Sequence, residues 1–274
     1  MKTLQGERKM KMRRLSALLC GLLTLAAVLT GCGGREKSGT LRVGVRDDIM
    51  NFGYLNKETG RYYGMEIDLA NKLAEKLGYE EVEFVTVQPD NRKEMLQEEK
   101  VDCLVAAYSI ADTRKENFDF SPPYYTDETV IMVEKSALFH SADDLKDQTV
   151  GIVSGSNAGP LLAQKLYDLG IITDKVVSNT DTATVYEGAG VVKTAKYSDL
   201  DTALETGAVD AVCMDKCIAG TYMNENREFL DVVVAEQQYG VATRKDSDLS
   251  GPVADAVQKM LDDGTVERLI DKWD

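Results

Sequence analysis

The sequence predicts an α/β protein with two lobes, and two observations lead to this prediction. Short apolar runs alternate with segments in which apolar residues recur every three or four positions. This is the pattern of strands that alternate with amphipathic helices, and it favours parallel sheets covered by helices. The alternation occurs once up to about residue 125 and again from about residue 149, so we expect one α/β lobe in each half.

The first helix shows its pattern most clearly. Met65, Leu69, Leu73 and Leu77 recur every four residues and Gly78 follows them, which predicts an amphipathic helix that ends at a glycine. Further helices are predicted at residues 91–99, 159–169, 198–205, 216–223, 248–261 and 266–273. Strands are predicted at residues 41–46, 82–87, 101–106, 129–133, 149–153, 209–214, 230–235 and 239–243.

Composition excludes several classes of function. The chain has 274 residues, 43% of them apolar, which is typical of a folded protein of about two domains. Its formal net charge of −14 argues against nucleic acid as a partner, because phosphates need a basic face. A single histidine, His140, disfavours a Ser-His or Cys-His catalytic couple and leaves no basis for a multi-histidine metal site.

Residues 1–31 have the composition of an export signal. Six basic residues precede residue 15, and an uncharged, mostly apolar run follows to Gly31. The segment Leu29-Thr30-Gly31-Cys32 resembles the lipobox of bacterial lipoproteins, which implies cleavage before Cys32 and its acylation. Residues 32–40 would then be a lipidated tether that holds the protein on the outer face of the cell membrane, or on the periplasmic face of a membrane. An ordinary secretory signal with a chance cysteine is the alternative.

The remaining cysteines, Cys103, Cys213 and Cys217, do not form a disulfide framework, because their number is odd. Cys103 lies in an apolar run and is predicted to be buried. A bridge between Cys213 and Cys217 is left open by their spacing. We predict neither a metal site nor a cofactor.

The chain resembles the extracellular solute-binding proteins (family 3) of polar amino-acid ABC importers, and among them the glutamate-, aspartate- and glutamine-binding lipoproteins. The segments that carry the resemblance span residues 41–273: LRVGVRDD, GMEIDLANKLAEKLG, KVDCLVAAYSIADTRKENFDFSPPYY, DDLKDQTVGIVSGS, AVDAVCMD, QQYGVATRKDSDL and DGTVERLIDKW. The resemblance implies a type II periplasmic-binding-protein fold with a Venus-flytrap hinge. Residues 41–127 and 238–274 would form a discontinuous first lobe, and residues 128–237 the second.

A buried amino-acid zwitterion needs both of its charges paired. The α-carboxylate favours the planar, two-pronged donor that arginine supplies. The resemblance gives that role to Arg114, with Ser109 and backbone N–H groups around Ala107 completing the shell. It makes Asp215, at the carboxyl end of a predicted strand, the partner of the ammonium group. The alternatives are a solvated charge for Arg114 and a helix N-cap for Asp215.

Two further arginines are the candidate specificity residues. Arg46 ends the first strand, and Arg92 stands where relatives that bind aspartate or glutamate also place arginine. Three arginines and one aspartate leave a charge of +1 around an acidic amino acid but +2 around a neutral one, which favours glutamate or aspartate. The alternative for both Arg46 and Arg92 is that the side chain faces water.

Aromatic and small residues are expected to line the rest of the site. Tyr108 flanks the polar positions of the first lobe, and the turn at Ser156 and Asn157 precedes a helix whose N–H groups suit an anion. Tyr197 and Tyr239 match family positions approximately, and ordinary packing is the alternative for both. Residues 180–194 are longer than the family pattern, which leaves the alignment of Tyr197 open.

These expectations together predict a monomeric substrate-binding lipoprotein that does no chemistry. It would capture glutamate or aspartate by hinge closure and deliver it to ABC permease subunits in the membrane. The alternatives are the same module binding glutamine or another polar amino acid, a ligand sensor that acts through a receptor, and a dehydratase-like enzyme on this fold.

Overall fold

The computed structural model describes residues 37–274. The predicted signal peptide and Cys32 lie outside the described residues, so the lipoprotein assignment stays a prediction. The first strand begins at Lys37, so the last four residues of the predicted tether, residues 37–40, belong to a strand.

Fifteen strands and eight α-helices are found within residues 37–274. The strands are β1 (Lys37–Val45), β2 (Asp48–Ile49), β3 (Gly53–Asn56), β4 (Arg61–Tyr63), β5 (Tyr79–Thr86), β6 (Cys103–Val105), β7 (Phe118–Phe120), β8 (Tyr125–Glu134), β9 (Thr149–Val153), β10 (Val176–Asn179), β11 (Ala183–Tyr186), β12 (Ala189–Thr194), β13 (Ala211–Asp215), β14 (Arg227–Tyr239) and β15 (Ala242–Arg244). The helices are α1 (Met65–Leu77), α2 (Arg92–Gln97), α3 (Asp112–Lys115), α4 (Ala158–Asp168), α5 (Tyr197–Glu205), α6 (Lys216–Tyr222), α7 (Ser250–Asp262) and α8 (Thr265–Trp273).

A five-stranded sheet with the order β5-β1-β6-β15-β7 collects strands from both ends of the chain. β1 and β6 are parallel, whereas β15 is antiparallel to both β6 and β7. The sheet is therefore mixed, and the prediction of a parallel sheet was wrong for β7 and β15. The reason is that β15 enters this sheet directly from the long strand β14, without the helical crossover that a parallel neighbour requires.

A seven-stranded sheet has the order β10-β11-β12-β9-β13-β8-β14. β9 is parallel to β12 and β13, while β8 and β14 form a long antiparallel pair. That pair ends with Tyr125 opposite Tyr239, and Tyr239 also bridges to Ser109 beside the five-stranded sheet. The end of β14 therefore connects the two sheets, at the place where the sequence predicts a crossing between lobes.

Helix α1 covers the five-stranded sheet with the face that the sequence predicts. Met65, Leu69 and Leu73 are buried, and Gly78 ends the helix in the left-handed conformation with φ 79°. The acidic residue Glu66 lies on this buried face as well, without any exposed surface. A charged group on an apolar helix face needs partners, and its partners are found in the candidate site.

Several elements have no counterpart in the sequence prediction. They are the small antiparallel sheet β2-β3-β4, the strand β7, the short helix α3, and the strands β10, β11 and β12 at one edge of the seven-stranded sheet. Strand β11 pairs with β12 across the turn at Glu187 and Gly188, and Gly188 has φ 110°. The extra length of residues 180–194 is therefore used to widen the seven-stranded sheet.

Candidate functional site

The candidate site lies where several strands end. Arg46 follows β1, residues Ala106–Ser109 follow β6, and Asp215 is the last residue of β13. Residues Ser154–Asn157 follow β9, which is parallel to β13. Crevices at the carboxyl ends of parallel strands are the usual ligand positions in open α/β sheets.

Arg46 is a buried side chain with only 1% of its surface exposed, so the alternative in which it faces water is wrong. Its Nη2 donates to both carboxylate oxygens of Asp48, at 2.6 and 2.8 Å, and to Oε1 of Gln88 at 3.2 Å. The guanidinium lies 5.4 Å from the centre of the Tyr197 ring. Its Nε has no partner among the described residues. Arg46 is therefore an ion-paired arginine that still holds a free donor.

Arg92 is also buried and does not face water. Its Nη1 donates to the carbonyl oxygens of Ala106 at 2.7 Å and Ala107 at 3.2 Å. Burial, together with the positive charges of Arg114 and Arg46, lowers the pKa of Arg92 to about 9. Arg92 therefore fixes the loop after β6, and the three guanidinium groups make this region favourable for an anion.

Glu66 is a site residue that the sequence analysis did not identify. Its Oε1 accepts the N–H of Ala107 at 2.7 Å and the hydroxyl of Tyr124 at 2.5 Å, whereas its Oε2 has no partner among the described residues. Burial raises the pKa of Glu66, and the charges of Arg46 and Arg92 oppose this shift. The N–H of Ala107 was expected to bind a ligand carboxylate, and this expectation was wrong because Glu66 already occupies it.

The signal that could have identified Glu66 is its place in the helical pattern. It stands between Met65 and Ile67 at the start of the apolar face of α1, where a carboxylate without partners would be costly. The loop that it supports also contains Ala107 in the left-handed region with φ 46°. Such a backbone conformation is retained only when surrounding contacts fix it.

Arg114 lies on α3 and is not a solvated loop charge. Its Nη1 donates to the carbonyl oxygen of Ser109 at 2.9 Å, and its Nη2 to the carbonyl oxygen of Gly155 at 3.3 Å. Burial lowers its pKa, while Tyr108 and the Asp215 carboxylate act in the opposite direction. The Tyr108 ring centre lies 4.3 Å from the Arg114 guanidinium and 4.5 Å from that of Arg92, within cation–π distance of both.

Asp215 stands at the N-cap position of α6, but its side chain makes no capping hydrogen bond. Its Oδ1 accepts the Thr129 hydroxyl at 2.7 Å and the Gln237 amide at 3.1 Å, and its Oδ2 accepts the Tyr239 hydroxyl at 2.7 Å. Burial raises the pKa of Asp215, whereas these hydrogen bonds lower it. All the donors are neutral, so no cation within residues 37–274 pairs directly with this carboxylate.

The turn after β9 is held by its own contacts. The Ser156 hydroxyl donates to the carbonyl oxygen of Val153 at 2.7 Å, and the Asn157 amide donates to Oε1 of Gln237 at 3.0 Å. Because Gln237 also binds Asp215, Asn157 belongs to the same hydrogen-bond network. Tyr197 and Tyr239 are both buried, the first under Arg46 and the second on Asp215, so their aromatic rings are parts of the site as well as of the core.

Loops of the two sheets are in direct contact around these residues. Besides the Arg114–Gly155 bond, the N–H of Met50 donates to the Thr221 hydroxyl on α6 at 3.1 Å. A Cβ atom on Gly155 would lie 2.2 Å from the carbonyl oxygen of Pro89. In this structure the loop after β9 therefore contacts α3 and the loop at Pro89, and helix α6 contacts the turn between β2 and β3.

A cavity of about 300 Å³ opens beside Arg92, Tyr108, Arg114 and Gly155. Asp215 is not among its lining residues, so the cavity reaches only the arginine end of the site. A larger cavity of about 660 Å³ surrounds Arg227, far along the chain from these residues. Arg227 already pairs with Glu134 and Asp201, and none of the predicted site residues lines that cavity.

The described part of the chain, residues 37–274, contains neither a metal-binding cluster nor a disulfide bridge. No group of three or more histidine, cysteine, aspartate or glutamate side chains is placed to hold a metal ion there. Cys103, Cys213 and Cys217 are free thiols, so the bridge that the spacing left open is not formed. No helix among residues 37–274 combines the length and the apolar composition that a bilayer span requires.

Three characterised relatives are similar to most of the chain. The L-cystine-binding protein TcyJ of Escherichia coli K12 is 29% identical over 264 residues, which cover 94% of this chain and 91% of TcyJ. The glutamine-binding protein GlnH of Bacillus subtilis 168 is 28% identical, covering 84% of this chain and 79% of GlnH. The glutamate-binding protein GluB of Corynebacterium efficiens is 26% identical, covering 94% of this chain and 89% of GluB.

Solved structures share the fold. An ancestral arginine-binding protein bound to arginine aligns with a TM-score of 0.70 and 31% identity, covering 86% of this chain and 98% of that one. The ancestral amino acid-binding protein AncCDT-1, a precursor of cyclohexadienyl dehydratase, aligns with a TM-score of 0.69 and 29% identity over 86% and 95%. The predicted type II periplasmic-binding-protein fold of two α/β lobes is confirmed by these structures.

The family model gives the assignment directly. Residues 41–274 match the bacterial extracellular solute-binding proteins, family 3, which is nearly all of the described chain. The segments that carry the resemblance lie within that range. The chain therefore belongs to the bacterial extracellular solute-binding proteins of family 3.

Proposed function

We propose that the chain is the substrate-binding lipoprotein of an amino-acid ABC importer and that it binds glutamate or aspartate. In this proposal Arg114 holds the α-carboxylate and Asp215 holds the α-ammonium group. The observation that carries the proposal is the arrangement of the partly buried Arg114 and the buried Asp215. Arg114 lies with two more guanidinium groups on the side of the five-stranded sheet, and Asp215 ends a strand of the other sheet.

The geometry of Arg114 suits an α-carboxylate. Its guanidinium is partly buried against the Tyr108 ring and makes single hydrogen bonds to two carbonyl oxygens, so it is held in place without a carboxylate partner among residues 37–274. A carboxylate placed there would gain two-pronged, charge-assisted hydrogen bonds. On the opposite side, Asp215 is buried with neutral donors only, so an ammonium group would supply its missing counter-ion.

The structure changes the charge count on which an acidic ligand was predicted. Asp48 neutralises Arg46, and Glu66 adds a buried carboxyl that the count omitted. The three acids are then Asp48, Glu66 and Asp215. With Glu66 ionised, their charges and those of the three arginines sum to zero, and with Glu66 protonated the sum is +1. An acidic ligand is therefore favoured if Glu66 carries a proton, in the direction that its burial already shifts its pKa.

A specific contact also supports glutamine as the second candidate. Asp48 places both of its oxygens within 2.8 Å of Nη2 of Arg46. A ligand carboxylate at Arg46 would meet the charge of Asp48, whereas a neutral carboxamide would not. The similarity to both GluB and GlnH is consistent with either side chain.

We infer that the ligand is captured by hinge closure and delivered by docking of the closed form on the permease. The contacts between Arg114 and Gly155 and between Met50 and Thr221 would form on closure and favour the closed state. The predicted acyl chains on Cys32 would keep the protein at the membrane. The boundaries of the lobes are proposed at residues 127/128 and 237/238. A sensor that acts through a receptor would use the same ligand contacts.

We infer a binding protein rather than an enzyme, although AncCDT-1 is described as the precursor of a dehydratase. A dehydratase needs a positioned acid or base that faces its substrate. The buried carboxyls of this site, Glu66 and Asp215, accept hydrogen bonds from five groups of the chain, two on Glu66 and three on Asp215. Their contacts favour fixed structural and electrostatic roles.

Isothermal titration calorimetry with L-glutamate, L-aspartate, L-glutamine, L-arginine and L-cystine tests the proposal. We expect the two acidic amino acids to bind most tightly. Arg46→Ala is expected to weaken glutamate binding by about tenfold or more, because it removes a buried cation from the side-chain end of the site. Arg61→Ala, an exposed arginine of β4, is the control and should leave the affinity unchanged.

Tight glutamine binding without a response to acidic ligands would contradict the acidic specificity and leave the family assignment in place. Equal loss of glutamate and glutamine affinity in Arg46→Ala would show that Arg46 does not select the side chain.

A further inference from the structure

The hydroxyl of Tyr239 lies between two buried carboxylates. Its oxygen is 2.7 Å from Oδ2 of Asp215 and 3.3 Å from Oδ2 of Asp127. Tyr239 has no exposed surface, and Asp127 and Asp215 are also buried. Asp127 lies on β8 and Tyr239 on β14, the paired strands that lead to both sheets.

A phenol has one hydrogen, so it can donate to only one of these carboxylates at a time. The other donors to Asp127 are the backbone N–H groups of Cys217 at 3.0 Å and Glu128 at 2.8 Å. The donors to Asp215 besides Tyr239 are the side chains of Thr129 and Gln237. Neither carboxylate has a cation as a direct partner within residues 37–274. Asp127 and Asp215 contact the same buried hydroxyl, and two carboxylates this close to each other resist being ionised at the same time.

We propose that Asp127 is a positioning residue of the ammonium site, which acts on Asp215 through the Tyr239 hydroxyl and makes ligand binding release a proton. This inference rests on the proposed function, because it takes Asp215 as the partner of the ligand ammonium. Asp127 was not among the predicted site residues, and it reaches the ligand only through Tyr239.

The same three groups can form two hydrogen-bond arrangements. Without ligand, a protonated Asp215 donates to the Tyr239 oxygen, and Tyr239 donates to the Asp127 carboxylate. With ligand, the ammonium pairs with ionised Asp215, the Asp215 proton leaves to solvent, and Tyr239 turns its hydrogen towards Asp215. One proton is lost from the protein and none is lost from the ligand.

The electrostatic effects on the pKa of Asp215 support the release of a proton when the ligand binds. Burial raises the pKa of Asp215, the Asp127 charge raises it as well, and hydrogen bonds from Tyr239, Thr129 and Gln237 lower it. A bound ammonium would stabilise the ionised carboxylate and lower this pKa again. Affinity should therefore be highest above the raised pKa and should fall as the pH decreases through it.

Other titratable or charged groups act on the same network. Arg114 from α3 attracts the Asp215 charge, and Tyr125 from β8 stacks on Tyr239 with ring centres 5.9 Å apart. The remaining groups are Cys217 on α6, whose Sγ is 3.6 Å from the Tyr239 oxygen, Tyr197 on α5 and Cys213 on β13. Burial raises the pKa of all three, so they stay neutral across the pH range of the test.

The test is calorimetric titration of the protein with L-glutamate and L-glutamine between pH 5.5 and pH 8, as an assay range. Each titration is run in two buffers of different ionisation enthalpy, so that the difference in heat counts the protons released. Glutamine has no titrating side chain, and a proton count common to both ligands belongs to the protein.

We expect the wild-type protein to release a measurable fraction of a proton at the acidic end and less at pH 8. Asp127→Asn should release less than about half of the wild-type amount, because it removes the charge that raises the Asp215 pKa. The ligand affinity of this variant should depend less on pH than that of the wild-type protein. The difference should be about tenfold in affinity for each unit by which Asp127 raises the pKa of Asp215. Asp127→Glu keeps the charge and should retain proton release, and Asp231→Asn, an exposed residue of β14, is the matched control.

Unchanged proton release in Asp127→Asn would overturn the inference. Should that variant fail to fold, the wild-type protein still decides, because binding without any proton release between pH 5.5 and pH 8 would overturn the inference alone. Absence of binding to every amino acid would overturn the proposed function and this inference with it.

Discussion

Replacing Arg114 with alanine is expected to lower the affinity for the amino-acid ligand by at least about 100-fold, or roughly 3 kcal/mol. The side chain is partly buried against Tyr108 and is proposed to be the two-pronged partner of the α-carboxylate. Its removal would leave a ligand anion without its counter-ion in a closed cleft, which is the costly way to break a buried pair. Calorimetry with L-glutamate and L-glutamine should show the same large loss for both, since both carry the α-carboxylate.

Two further variants separate this role from a loss of folding. Arg114→Lys keeps the charge but loses the planar fork, so its affinity should fall between those of the wild-type protein and Arg114→Ala. Lys115→Ala changes the neighbouring residue of α3, whose ammonium pairs with the exposed Asp112, and should bind like the wild-type protein. Binding by Arg114→Ala within a few-fold of wild type would remove Arg114 from the ligand site.

The fold could be predicted because its main elements carry clear periodic patterns. Helix α1 and strand β9 occur where the spacing of apolar residues places them. The small sheet β2-β3-β4 and the edge strand β10 were missed, because their strands have only two to four residues, too few to show a periodic pattern, and β10 is exposed along its whole length. The antiparallel strands β8, β14 and β15 were assigned to parallel sheets because periodicity does not record strand direction.

The site could be predicted only in part, for a different physical reason. The arginines at strand and helix ends were identified through the resemblance to the family, and Arg46, Arg92 and Arg114 do lie near one another, since the charges of Arg46 and Arg114 both act on Arg92. The carboxylates of the site could not be placed, because their contacts are tertiary. Glu66 accepts the N–H of Ala107, which lies 41 residues later in the chain. Asp127 accepts the hydroxyl of Tyr239 across the β8–β14 pair. A buried carboxylate on a helix face is visible in sequence, but the atom that it binds is not.

Replacing Gly155 with alanine is expected to prevent full closure of the cleft and to lower ligand affinity by roughly 10- to 100-fold. Gly155 follows β9, and a Cβ atom there would lie 2.2 Å from the carbonyl oxygen and 2.6 Å from the carbonyl carbon of Pro89. Neither backbone atom can give way as a flexible side chain would, so the two loops would have to separate. The same separation would break the bond from Arg114 to the Gly155 carbonyl oxygen.

A side chain at residue 155 also destabilises the folded protein for a second reason. The backbone of Gly155 is in the left-handed region, with φ 74°, which residues with a Cβ atom disfavour. Gly170→Ala is a matched control for this cost: Gly170 has φ 72°, and a Cβ atom there meets nothing within 4 Å. Both variants should lose a similar amount of thermal stability without ligand, and only Gly155→Ala should fail to contract in solution scattering when glutamate is added. If both variants contract and bind like each other, Gly155 does not control closure, and the contact with Pro89 belongs to a state that the ligand does not require.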